Sequence, residues 1–219
     1  MYRISELLDL SHTIAAPLFE GKDYPWEVLG GIKEFILALG PTLPAEEFDN
    51  PTEGVWIAKD ATVFPSAYIG APCIIDHGAE VRHCAFIRGS AIVGKNCVVG
   101  NSVELKNAVL FDNVQTPHYN YVGDSILGYK SHMGAGSITS NVKSDKTLVV
   151  VKNGEERIET GLKKFGAILG DHVEVGCNSV LNPGTVIGPH SHIYPISSVR
   201  GTIPPHHIYK NEREIIAKR

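Results

Sequence analysis

Arg88 and Lys106 stand eighteen residues apart, and each directly follows an aliphatic residue, Ile87 and Leu105. If eighteen residues close one circuit of a coiled chain, the two cations share a face with backbones about 4.8 Å apart. Like charges at that separation repel by roughly 3 kcal/mol at an effective dielectric near 20. A phosphate-sized anion held between them relieves the repulsion; two side chains splayed into water relieve it equally well. One coil further on comes His118, with Tyr121 close behind. An imidazole titrates near neutrality and can take a proton from an attacking group, although a lone histidine is also often a hydrogen-bonded structural residue.

The eighteen-residue circuit rests on a period of six. Aliphatic residues recur from Ile57 through Val63, Ile69, Ile75, Val81, Ile87, Val93, Val99 and Leu105, with Phe111 in the next slot. The beat returns from Leu169 through Val175, Leu181, Ile187, Ile193 and Val199, and small residues such as Ala61, Ala67 and Cys73 sit four places after a beat. A strand gives period two and an amphipathic helix 3.6, so neither explains a strict six. A repeat of this unit predicts a parallel β-helix, in which each coil buries its aliphatic residues only against its neighbours.

The beat fails at Pro117, and Val122 to Leu127 is a step of five. Such departures from a local rule cluster at functional sites, and His118 and Tyr121 lie inside this one. Gly134-Ala-Gly-Ser-Ile-Thr-Ser-Asn141 follows, with glycines that permit tight corners or close approach of a ligand to backbone N–H groups. Residues 142–166 leave the repeat, and Asn153-Gly154 between Thr147–Val151 and Glu155–Ile158 predicts a β-hairpin with a type I′ turn. Its lysines either overhang a site or are simply solvated.

Outside the repeat, residues 1–53 read as a helical cap. Trp26, Leu29, Ile32, Phe35, Ile36 and Leu39 recur at helical spacing, ended by Gly40-Pro41, and Ser5 to Leu10 is a candidate shorter helix. The β-helix then spans 54–203, and 204–219 reads as a short basic helix or tail. Met1 to Leu10 carries charges and lacks the apolar run of a secretory signal. The longest apolar runs are too short to span a bilayer. A net charge of −4 over 219 residues argues against sequence-independent binding of nucleic acid. Cys73, Cys84, Cys97 and Cys177 lack metal-type spacing and read as reduced residues of a cytoplasmic protein.

The hexad pattern resembles the left-handed parallel β-helix of the hexapeptide-repeat transferases, an all-β fold. More specifically, Gly100–Lys106, Pro117–Asp124, Gly134–Asn141 and Ile168–Asp171 resemble consecutive motifs of one family. It is the acetyltransferase domain of the bifunctional glucosamine-1-phosphate acetyltransferase/N-acetylglucosamine-1-phosphate uridylyltransferases, with their archaeal sugar-phosphate relatives. The resemblance covers roughly residues 85–200. It implies acetyl transfer from acetyl-CoA to the amine of an amino-sugar 1-phosphate, in a homotrimer with cofactor between adjacent β-helices.

By the same resemblance, His118 is the catalytic base, and Asn141 lies near the sugar and acetyl group. Arg88 and Lys106 hold the sugar phosphate, and Tyr121 contacts phosphate and sugar. His132 stands where bacterial members have a sugar-contacting asparagine, and Gly166 where they have a lysine. Cys177 and Pro195 replace a serine and an alanine of the acetyl-CoA site, to which Arg200 also maps. The family's nucleotide-binding half has no counterpart in residues 1–55, which predicts no uridylyltransferase activity. A non-catalytic sugar-phosphate or sugar-nucleotide binder on the same fold is one alternative. A zinc hydratase using His77 and His83, six residues apart on adjacent faces, is another.

Overall fold

The computed structural model describes residues 1–218, and Arg219, the end of the expected basic tail, lies outside them. Strands stack in parallel on three walls, as the hexad repeat predicts. One wall runs through Val55–Ala58, Cys73–Ile75, Ala91–Val93 and on to Thr202–Ile203. A second runs from Thr62–Val63 through Val98–Asn101 and Gln115–His118 to His192–Ile193. The third contains Tyr68–Ile69, Phe86–Ile87, Ile138–Thr139, Val180–Leu181 and Ser198–Val199. Beat residues such as Ile75, Val99, Leu105, Val122, Leu181 and Val199 are fully buried, so the core is one aliphatic column shared by all coils.

The circuit length is eighteen where it was read: Phe86 pairs with Glu104 and Ile87 with Leu105. The interruption, however, lies earlier than Pro117. Leu110, not Phe111, is the partner of Val93, and Thr116 pairs with Val99. One residue is therefore missing between Leu105 and Leu110, and again between Val122 and Leu127, which pair with those two. Thr116 is tolerated facing inward because its hydroxyl donates to the Val98 carbonyl at 3.0 Å. Phe111 is buried as well, against Phe19, so apolarity could not tell it from Leu110.

In both shortened coils a single strand, Glu104–Leu110 or Tyr121–Leu127, runs around the corner from the third wall to the first. The insertion leaves the repeat at this same corner, after Ile138–Thr139, and returns at Ala167–Leu169. It holds the antiparallel pair Val150–Asn153 and Glu156–Glu159. The turn residues are Gly154 and Glu155, one place later than the Asn-Gly pair predicts. Val149 and Val151 are fully buried, which plugs the hairpin onto the stack.

The expected long helix is shorter, spanning only Ile32–Leu39, with a separate 3-10 turn at Pro25–Val28. The Gly30-Gly31 pair between them disfavours continuous helix. Trp26, Leu29, Ile32 and Ile36 are nonetheless all buried. This segment lies along the side of the stack: Asn107 donates to the Leu29 carbonyl at 3.0 Å, and Trp26 packs on Phe165. The open edge of the first coil is covered instead by Phe48–Thr52, antiparallel to Val55–Ala58.

At the other end, the stretch read as a basic helix or tail is a second hairpin, His207–Asn211 with Glu214–Ala217. Ile208, Tyr209, Ile215 and Ile216 favour strand, and pairing covers the last coil's edge. Among the described residues no helix is long and apolar enough to cross a membrane.

Candidate active site

The candidate residues occupy one wall and its two edges. Arg88 and Lys106 follow the paired strand residues Ile87 and Leu105, so they stack on one corner in successive coils. Asp124, one place beyond Lys106's register partner Gly123, lies on the next coil. It is buried, and both of its carboxylate oxygens receive the Lys106 ammonium, at 2.9 and 3.1 Å. Asn107 donates to it at 3.0 Å and Asn141 at 2.5 Å. The one-residue shortening of both coils is what draws these side chains together.

This geometry corrects the expected repulsion between two bare cations. Lys106 is neutralised by Asp124, and Arg88 by Glu104 at 2.9 Å. Glu104 lies on Lys106's own strand, paired across to Phe86, and nearly half of the Arg88 side chain remains exposed. A carboxylate on each cation does what an external anion was expected to do. An incoming phosphate must therefore share Arg88 with Glu104 rather than fill a vacant gap.

Tyr121 projects from the middle of the same wall. Its hydroxyl accepts from Asn141 at 3.2 Å, and burial, with the Asp124 and Glu104 charges beside it, raises the phenol above its ordinary range. It remains a neutral donor at physiological pH. A side chain at Gly123 would meet the Tyr121 hydroxyl at 2.4 Å, so glycine there makes room for the phenol. Because Asn141 directs its amide to both Asp124 and Tyr121, it positions the phenol and the carboxylate.

His118 ends the strand Gln115–His118 on the second wall and is exposed. Its backbone N–H donates to the Asn120 side chain at 3.2 Å, and its carbonyl accepts from Gly136 at 3.0 Å. These bonds fix the corner that presents the ring, and no side chain among the described residues hydrogen-bonds the imidazole itself. His118 and Asp124 are separated by the turn at Tyr119 and by the run of the third wall that begins at Tyr121. Tyr121 lies between the two ends. The arrangement can seat a ligand lengthwise, with a base at one edge and cations at the other.

The remaining candidates lie elsewhere on the protomer. Cys177 and Pro195 line a groove of about 280 Å3 with His132, Gly134, Gly176 and Tyr194. His132 is held there by Glu174 at 2.8 Å. Gly134 and Gly176 allow the coils to close: a Cβ at either would come within 2.8 Å of backbone in the next coil. Arg200 is not in that groove. It lines a separate cleft beneath the inserted hairpin, so the chain by itself does not bring the three cofactor candidates together. At Gly166 a side chain would strike the Gly123 carbonyl and Ser125 hydroxyl at 2.3 Å, so the lysine that the resemblance led one to expect there has no room.

His77 is bracketed by Asp60 at 3.0 Å and Glu47 at 3.2 Å, while His83 packs on Phe64. The two therefore do not converge. All four cysteines are free, and burial pushes the Cys73 and Cys97 thiols far up.

Asp124 and Glu104 are the residues that sequence reasoning passed over. The signal for Asp124 was available: it stands eighteen residues after Lys106, the regular coil length, and seventeen before Asn141, the shortened one.

A family model described as the GMPPB C-terminal domain matches residues 69–203. A bifunctional protein GlmU of Methanococcus vannielii is 33% identical over 198 residues, covering 89% of this chain and 48% of that protein. A bifunctional sugar-1-phosphate nucleotidylyltransferase/acetyltransferase of Sulfurisphaera tokodaii is 37% identical over 91 residues, 42% of this chain and 23% of that protein. The chain thus spans about half the length, or less, of these curated relatives. Among solved structures, the acetyltransferase domain of PglB from Neisseria gonorrhoeae FA1090 in complex with acetyl coenzyme A aligns with 90% of this chain and 80% of its own, at 15% identity and a TM-score of 0.33. The polySia specific acetyltransferase NeuO aligns with 72% and 82%, at 15% identity and a TM-score of 0.38. With the match over residues 69–203, the chain belongs to the GMPPB C-terminal domain family and has bifunctional sugar-1-phosphate nucleotidylyltransferase/acetyltransferases among its relatives.

Proposed function

We propose that this chain transfers an acetyl group from acetyl-CoA to the amine of an amino-sugar 1-phosphate, as a cytoplasmic homotrimer. The observation that carries the reading is the wall bounded by His118 at one edge and by Arg88 and Lys106 at the other, with Tyr121 between. The names of the relatives at about a third identity support acetyl transfer in sugar-phosphate metabolism.

On this reading Arg88 holds the phosphate, and Lys106, fixed by Asp124, adds positive potential behind it. The neutral Tyr121 hydroxyl donates to the sugar or phosphate. Anchoring the phosphate sets the distance from the amine to His118, which lowers the entropic cost of reaction. An amine with a pKa of about 7.7–8.0 is largely protonated near neutrality. His118 accepts its proton as nitrogen attacks the thioester carbonyl, and the coenzyme A thiol leaves. With the Asn141 amide already engaged, backbone N–H groups of the coil corners are the donors for the tetrahedral oxyanion. Cys177 and Pro195 contribute the groove for the cofactor's extended arm, and a neighbouring protomer brings its Arg200 side toward it.

His118→Ala is expected to lower turnover about 10²–10⁴-fold, with an unchanged melting temperature, in a thiol-release assay with acetyl-CoA and glucosamine 1-phosphate. Undiminished turnover would remove His118 from the mechanism. A second reading, a non-catalytic sugar-phosphate binder, is favoured by the carboxylates already on both cations and by the imidazole's lack of an orienting side chain. It predicts heat of binding in calorimetry but no thiol release from the wild-type protein.

A further inference from the structure

The inserted hairpin and the solenoid corner beneath it enclose a cleft of about 600 Å3. Its solenoid side is the column that already carries Arg88 and Lys106. Ser140, Asn182 and Arg200 each directly follow an inward strand residue (Thr139, Leu181 and Val199) on successive coils of the third wall. Its roof carries Lys152 and Arg157, and its mouth Lys143 and Asp145.

Among the described residues Asp145 is the only carboxylate lining the cleft, and it is already paired with Lys143 at 3.4 Å. Among the described residues, Lys152, Arg157 and Arg200 have no ion pair. Lys152 and Arg157 are also direct cross-strand partners in the hairpin register. Like charges directly opposite on an antiparallel pair destabilise it, with Cβ atoms only about 5 Å apart. Pairing Lys152 with an acid would have stabilised a merely solvated hairpin.

The roof is held firmly in place. Val149 and Val151 are fully buried, and a Cβ at Gly184 would lie 2.7 Å from Val149, or at Gly201 3.2 Å from the Lys152 carbonyl. Two unpartnered cations on a docked hairpin are thus held over a third, Arg200, on the solenoid.

We propose that this cleft binds the diphosphate of a nucleotide. Two adjacent phosphates supply enough charge for three cations, and Arg offers paired donors to phosphate oxygens. The cavity has room for the diphosphate and part of a nucleoside. It opens at Ser140, beside the Asn141 that holds Tyr121. Arg200 lies two coils past Ser140, about 10 Å along the stack at strand spacing. A ligand reaching from the wall into the cleft therefore has its phosphates well away from the reacting atoms. Both acetyl-CoA and a nucleotide-linked amino sugar have this form. Which of them is the source rests on the transferase reading above; the anion site does not.

Calorimetric titration with ADP, UDP, AMP and inorganic phosphate tests the assignment. The wild-type chain is expected to bind the diphosphates about tenfold more tightly than AMP or phosphate, with affinity falling as salt rises. The K152Q/R157Q double variant is expected to weaken diphosphate binding about tenfold or more. R200Q, on the solenoid side, should weaken it too, which guards against simple loss of the hairpin. Competition by coenzyme A assigns the cofactor's diphosphate, and competition by a UDP-linked amino sugar assigns the acceptor's. Equal affinity for phosphate and diphosphate, or unchanged binding in both variants, overturns the proposal. Diphosphate binding without thiol release would leave this site standing and remove the transferase reading.

Discussion

At the corner where the strands Glu104–Leu110 and Tyr121–Leu127 bend, Lys106, Asn107 and Asn141 meet across successive coils around the buried Asp124 carboxylate. At the corner on the far side of the first wall, His172, His190 and His206 also stack in successive coils. Their ring centroids are 4.6 and 4.8 Å apart, with Tyr129 and His12 continuing the column. The first corner alternates donor and acceptor, cation and anion. The second repeats the same ionisable ring at the same spacing. The Lys218 ammonium joins it, donating to the His190 carbonyl at 2.8 Å. A solenoid places equivalent positions next to one another whatever their chemistry. The choice of residue at each coil then decides whether the column attracts or repels.

The difference breaks most visibly at Asp124. Asp124→Asn leaves the Lys106 ammonium and two amides facing a side chain that cannot accept from all of them. A loss of about 3 kcal/mol is expected in urea unfolding, because a half-buried ammonium and two amides lose the charge of a buried carboxylate. If the loss is a few tenths, the network is only a surface contact. A double-mutant cycle combining it with Lys106→Met sharpens the point. A coupling of roughly 1–2 kcal/mol is expected, since the two side chains share the interaction, and additivity would place Lys106's partner elsewhere.

The histidine column gives the smallest effect, and it responds to acid in a higher pH range than a carboxylate salt bridge does. Burial, followed by the charges of His172, His206 and Lys218, lowers the pKa of His190. Burial and Lys218 lower that of His192, against Glu174. The unfolded chain therefore binds protons more readily, and stability should fall as pH drops through about 6.5, the unfolded value. Melting curves at pH 7.5 and 5.5 check this, and His190→Asn, which tolerates the left-handed backbone at φ 59°, should lose less on acidification. An acid sensitivity identical in the variant would show that His190 does not carry the effect.

Much of this was legible because a hexad beat fixes both coil length and the inward face. The eighteen-residue step placed Arg88 beside Lys106 correctly, but it carried no information on what lay between and beyond them. Glu104 and Asp124 looked like ordinary polar residues; the shortened corner buries Asp124, while the regular register brings Glu104 beside Arg88. That shortening was misplaced because Leu110 and Phe111 are both apolar and adjacent, and one residue of slip exchanges their roles. Thr116 hid the true register, since an inward hydroxyl reads as outward until its carbonyl partner is known. The C-terminal hairpin was missed for another reason: its basic residues drew attention away from the strand-forming isoleucines at 208, 215 and 216.

The insertion begins and ends at one corner, and the coils it interrupts pair directly across it, Ile126 with Ile168 and Ile138 with Val180. The stack is thus indifferent to how much chain departs there and comes back. A longer, shorter or differently charged hairpin can be substituted without re-registering a single strand. Ligand preference can then drift rapidly while the scaffold that aligns the reacting groups stays the same.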